Sequence, residues 1–122
     1  MAEKRITELI ALQRIEDLAQ TGATELDLSQ LELTILPVEV WECTQITSLD
    51  LHGNNLTILP PEIGQLTRLT KLNLSGNQLA SLPKEIGLLI NLRELILEQG
   101  GIDIPGDSKS LIATLLRRIR SI

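Results

Sequence analysis

Glycine, lysine and serine come together in "GGIDIPGDSKSLIATLL", residues 100–116, in an order that could hold a phosphate. An apolar run (Leu95, Ile96, Leu97) precedes the glycines, and an amphipathic segment follows Lys109 and Ser110. Strand, glycine loop and helix in that order aim backbone amides at an anion. The spacing fails, however. With Lys109 and Ser110 as the basic pair of a GxxxxGK[ST] loop, the glycine positions fall on Asp103 and Ser108. An aspartate there repels phosphate, and a serine obstructs the close approach of the backbone. With Gly101 and Gly106 as the glycines, the lysine comes two residues late. Nucleotide binding is not expected.

Two other candidates fall short in the same way. Asp50 and His52, two apart, would share one strand face and could offer two metal ligands. A zinc site takes three or four from protein. Cys43 is the single cysteine, so no intrachain disulfide can form, and it stands where other segments carry Leu66 and Leu89. It is expected buried and inert, as a small hydrophobe. No nucleophile stands beside a base in a catalytic arrangement. The expectation is a protein that is not an enzyme and has neither cofactor nor metal.

The elements that would position these residues follow from periodicity. "ATELDLSQLELTILPVEVWECTQ", "ITSLDLHGNNLTILPPEIGQLTR" and "LTKLNLSGNQLASLPKEIGLLIN", beginning at Ala23, Ile46 and Leu69, repeat with a spacing of 23 residues. A fourth copy starts at Leu92 with "LRELILEQGGIDIP". The second and third copies agree at about half their positions, which marks a solenoid. In Leu49-Asp50-Leu51 and its siblings apolar and polar residues alternate, the pattern of a short strand with one buried face. Parallel neighbours need a long return connection, and "LPxEIGxLxx" supplies it on the convex side. Pro37, Pro60 and Pro83 suit the first turn of a short helix, and Glu39, Glu62 and Glu85 suit its dipole.

These residues resemble leucine-rich repeats, specifically the 23-residue class LxxLxLxxNxLxxLPxEIgxLxx of Ras-suppressor-like proteins, plant relatives and many bacterial proteins. The resemblance covers residues 23 to 105. It implies an α/β fold: a short solenoid of about four repeats with a parallel β-sheet on its concave face. It also implies that Asn54 and Asn77 bond backbone amides inside the solenoid. Leu31 and Gly100 take that column in the first and last copies, and terminal repeats are commonly atypical. Similar repeats precede a Ras-like GTPase in Roco-type proteins, so the resemblance extends to a GTPase-linked signalling assembly.

Helical caps are expected at both ends. Ile6, Leu9, Ile10, Leu12, Ile15, Leu18 and Ala19 recur at helical steps, giving a capping helix within residues 1–22 that stops near Gly22. Its acidic polar face argues against an anionic membrane surface. From Asp107 or Ser108, Leu111, Ile112, Leu115, Leu116, Ile119 and Ile122 form one face of a second helix over 106–122. Trp41, the only aromatic residue, stands where the next copies have Gly64 and Gly87. Two roles stay open for it: packing against the N-terminal helix, or serving as an exposed anchor.

A net charge of −5 excludes a general nucleic-acid surface. No apolar run approaches the roughly 20 residues needed to cross a bilayer. The start has no secretory h-region, and a cytoplasmic protein is expected. Stacked strands turn the outward positions into three ladders: Glu25, Ser48, Lys71, Glu94; then Asp27, Asp50, Asn73, Ile96; then Ser29, His52, Ser75, Glu98. Like charges opposite each other, as Asp27 and Asp50 would be, are destabilising. A cationic partner, a bound cation or good solvation would each make them tolerable. The expected function is a non-catalytic protein-interaction module whose mostly acidic concave face binds a partner with a basic surface. The alternative is a structural solenoid that self-associates through its edge or its basic C-terminal helix; otherwise a monomer is expected.

Overall fold

A computed structural model describes residues 2–97, with side chains from residue 6 onward. The chain opens with a 20-residue helix, α1 (Ala2–Thr21). Four three-residue strands follow: β1 (Glu25–Asp27), β2 (Ser48–Asp50), β3 (Lys71–Asn73) and β4 (Glu94–Ile96). Between them lie three 3-10 helices, η1 (Val38–Glu42), η2 (Pro61–Gln65) and η3 (Lys84–Leu88). The strands form one parallel sheet in the order β1-β2-β3-β4.

The register is that of the repeat. Leu26 pairs with Leu49, Leu49 with Leu72, and Leu72 with Leu95, so one column of leucines runs through the sheet into the core. The ladder continues past the strands: the Thr47 amide donates to the Thr24 carbonyl at 2.7 Å and the Thr70 amide to the Thr47 carbonyl at 2.7 Å. Leu28, Leu51 and Leu74 point inward one step later, and Val40, Ile63 and Ile86 close the core from the return side.

The return segments are 3-10 because they must cover distance in few residues, and a 3-10 helix rises faster per residue than an α-helix. Their bonds span three residues, as when the Ile63 amide donates to the Pro60 carbonyl at 3.1 Å. Pro37, Pro60 and Pro83 stand one residue earlier than the sequence implies, as N-caps, while Glu39, Glu62 and Glu85 do fall in the first turn. Gly64 lets η2 and η3 close up: a Cβ there would meet Leu88 Cδ1 at 2.9 Å and Glu85 Cβ at 3.1 Å. In that column Trp41 is only 6% exposed and joins the same core as Ile15 and Leu18, so it is not a surface anchor.

The N-terminal helix caps the first repeat with a narrower face than its sequence pattern implies. Ala11, Ile15 and Leu18 are buried in the core. Ile6, Leu9, Ile10, Leu12 and Ala19 are exposed, Leu9 at 64%. Seven apolar positions at mixed steps of one, two and three spread round the helix, and only one stripe can face the solenoid. The C-terminal boundary at residue 105 and the capping helix expected over 106–122 lie outside the described residues.

Candidate binding face

The outward residues of the strands are brought into contact by the register. Glu25 pairs with Ser48, Ser48 with Lys71, and Lys71 with Glu94; Asp27 pairs with Asp50, Asp50 with Asn73, and Asn73 with Ile96. The first two ladders therefore exist as the sequence implies. In the first, Lys71 Nζ lies 4.0 Å from Glu94 Oε2. The pair is half-exposed, so it orders the side chains more than it stabilises the sheet.

The second ladder is also a structural device. Asp27 Oδ1 accepts the Ser29 amide at 2.9 Å, Asp50 Oδ1 accepts the His52 amide at 3.0 Å, and Asn73 Oδ1 accepts the Ser75 amide at 3.1 Å. In these three repeats the Asx side chain thus bends the backbone out of the strand by capping the amide two residues on, whereas the fourth has Ile96 in the column. Ser29 Oγ also donates to Asp27 Oδ1 at 2.6 Å, and Ser75 Oγ to Asn73 Oδ1 at 2.7 Å. These bonds offset the repulsion between Asp27 and Asp50, a source of tolerance independent of any ligand. The Ser29 hydroxyl holds the Asp27 carboxyl below the usual carboxylate range, helped by the Ser29 amide, Arg14 and His52 and opposed by partial burial.

The third ladder is uneven. Ser29 and His52 are partly exposed, whereas Ser75 is only 5% exposed and adds little to the surface. Glu98 lies outside the described residues. His52 Nδ1 is 3.7 Å from Asp50 Oδ1, the oxygen that already accepts the His52 amide. Among the described residues no three His, Cys, Asp or Glu side chains converge as metal ligands. Cys43 is buried, its Sγ 3.5 Å from the Glu39 carbonyl oxygen; burial, reinforced by the Glu42 charge, pushes its thiol pKa up.

Arg14 escapes the sequence reading. Its Nη1 donates to the Asp27 carbonyl at 2.9 Å, bringing a cation from α1 to the outer edge of β1 and satisfying a carbonyl at that edge. No repeat position signals it, because it depends on how the helix seats.

Behind the sheet, Asn54 and Asn77 are buried as expected. Asn54 Oδ1 accepts the amides of Leu31 and Leu33 at 3.1 and 3.0 Å, and its Nδ2 donates to the carbonyls of Leu28 and Leu51 at 2.9 and 3.0 Å. Asn77 Oδ1 accepts the Leu56 amide at 3.0 Å, and its Nδ2 reaches the Leu51 carbonyl at 2.9 Å. Each amide side chain stitches its own repeat to the one before it.

A parallel one-strand-per-turn sheet, 3-10 returns and an internal asparagine ladder define a leucine-rich-repeat solenoid. Residues 44–84 match the family model of leucine-rich repeats in two copies. A leucine-rich-repeat protein of Leptospira interrogans is 40% identical, with a TM-score of 0.65, over 85% of this chain. This chain spans 26% of that protein's length. Comparison with curated proteins gives no match. The chain is a leucine-rich-repeat protein. Domains of this kind generally bind other proteins and are typically non-catalytic. Among the described residues no helix is long and apolar enough to cross a membrane.

Proposed function

We propose that the concave sheet is a non-catalytic docking surface for a protein with a basic surface patch. The observation that carries this reading is the pairing of Asp27 with Asp50 on adjacent strands. The Asx turns engage one oxygen of each carboxylate. The other oxygens, with Glu25 beside them, leave an acidic patch on the first two repeats. Lys71 meets Glu94 further along, so the negative field is concentrated toward the N-terminal half. Charge complementarity of this kind chiefly sets encounter rate and specificity. Placement in a GTPase-linked signalling assembly rests on the resemblance of the repeats, and a cytoplasmic setting on the lone unpaired cysteine.

Asn73 indicates the clean experiment, since an asparagine closes the same turn without charge. The partner is captured from the source cell with the wild-type chain and its affinity is then measured against the Asp27→Asn, Asp50→Asn double variant. Binding should weaken several-fold, with a shallower dependence on salt. Equal affinity at every salt concentration would remove the concave face from the interaction.

A further inference from the structure

A second surface is built jointly by the cap and the first repeat, and none of the ladder residues belongs to it. Between α1 and η1 lies a groove of about 390 Å³, lined by Leu12, Glu16 and Ala19 on one side and Glu39, Glu42 and Cys43 on the other. Its apolar lining is made by the buried Ile15 and Cys43 and the exposed Leu12 and Ala19, with Gln45 as a further polar member. Leu9 stands three residues before Leu12, on the neighbouring part of the helix surface, and prolongs the apolar strip into solvent. Its rim is acidic on both sides, with Glu16 facing out from α1 and Glu39 and Glu42 from η1, all exposed. No lining residue is basic. Burial raises the pKa of the Cys43 thiol, and the charge of the adjoining Glu42 raises it further.

We propose that this groove docks a short basic amphipathic helix of another protein. Aliphatic side chains of that helix seat on Leu9, Leu12 and Ala19, and its lysines or arginines face Glu16, Glu39 and Glu42. A helix suits the site better than a strand, because the flanking backbone is already bonded internally. The Val40 amide donates to the Pro37 carbonyl and the Cys43 amide to the Val40 carbonyl, which leaves no open edge for strand addition. The occupant must be cationic, since an uncharged one would leave three carboxylates crowding an apolar contact without compensation. A second copy of this chain is disfavoured by its net charge of −5.

The probe is a helical peptide of leucine and lysine at amphipathic spacing, with a glutamine-for-lysine version as control. Both are titrated into the full chain by calorimetry, and the contact is mapped by NMR amide shifts. The lysine peptide should shift Leu12, Ala19 and Cys43 and bind at least tenfold more tightly than the glutamine peptide. The Glu16→Gln, Glu39→Gln, Glu42→Gln variant alters only exposed side chains and should melt like wild type. It should weaken the lysine peptide roughly tenfold, as expected for three surface charge pairs. The Asp27→Asn, Asp50→Asn variant should bind the peptide as wild type does, which separates this site from the concave face. Absence of binding, equal affinity for the two peptides, an unaffected triple variant, or shifts centred on Asp27 and Asp50 would each overturn the proposal. So would a concentration-dependent dimer abolished by Leu12→Glu, which would assign the groove to a second copy.

Discussion

Asn54 accepts the amide of Leu31, the residue that occupies its own column one repeat earlier. The relationship explains why the first repeat carries leucine there. Each asparagine serves the loop behind it, and behind Leu31 there is only α1, whose amides are bonded within the helix. An asparagine at position 31 would find no loop to serve, and leucine fills the volume instead. Leu31 is buried with the rest of the core.

Replacing Asn54 tests that network directly. Asn54→Ala leaves the amides of Leu31 and Leu33 and the carbonyl of Leu28 without this partner, while the Leu51 carbonyl keeps its bond from Asn77, and should cost about 3 kcal/mol or more. Asn54→Asp keeps the acceptor toward Leu31 and Leu33 but cannot donate to Leu28 and Leu51 when ionised. It should be destabilising at neutral pH and partly restored in acid. Chemical denaturation at both pH values reads the two variants.

The left-handed turn before the asparagine gives an ordering of glycine variants. Gly53 and Gly76 have φ of +71° and +69°, and Gln30 holds the same column at +56° without glycine's freedom. A Cβ on Gly76 would lie 3.2 Å from the Gly53 backbone nitrogen, whereas one on Gly53 meets the movable Gln30 Cγ at 3.0 Å. Gly76→Ala should therefore cost more than Gly53→Ala, about 2 kcal/mol or above. Gln30→Gly should stabilise by about 0.5 kcal/mol, the relief of αL strain less the added freedom of the unfolded chain. Thermal melts of the three variants check the order.

Ser29→Ala probes the Asp27 turn through pH. The folded-state carboxyl is depressed, so its contribution is present above the unfolded value of about 3.9 and is lost as pH falls through the folded value. The variant should be less stable than wild type by about 1 kcal/mol near neutrality. That difference should shrink as the pH drops below the depressed value, where both carboxyls are protonated. A gap that stayed constant down to strong acid would show that the hydroxyl acts through packing alone.

Leucines of α1 divide by face. Leu18→Ala empties a buried site and should cost about 2 to 4 kcal/mol, while Leu9→Ala should stay within about 0.5 kcal/mol. Equal costs would mean that the helix seats differently on the first repeat.

The solenoid was legible because one spacing governs it: Leu26, Leu49, Leu72 and Leu95 pair across the sheet at the interval that separates them in the chain. What escaped depends on choices that periodicity does not encode. The helical pattern gave the extent of α1 but not which stripe faces inward, because the docking angle set the buried residues and put Arg14 on the Asp27 carbonyl. Asp27 and Asp50 read from sequence as a repulsive pair, yet each closes a turn. A signal for that was present: Asn73 in the same column, with serine two residues after both Asp27 and Asn73, is the pattern of an Asx turn. Charge alone could not distinguish a solvated carboxylate from one already bonded to the backbone.

Because every asparagine closes the loop that precedes it, the repeats overlap like roof tiles laid in one direction. The amides of Leu31 and Leu33 are covered by Asn54 of the second repeat, and the amide of Leu56 by Asn77 of the third, while α1 takes no part in these bonds. The molecule therefore has a grain. Removing the third repeat would strip Asn77 from the Leu56 amide, whereas removing α1 would cost neither asparagine a bond.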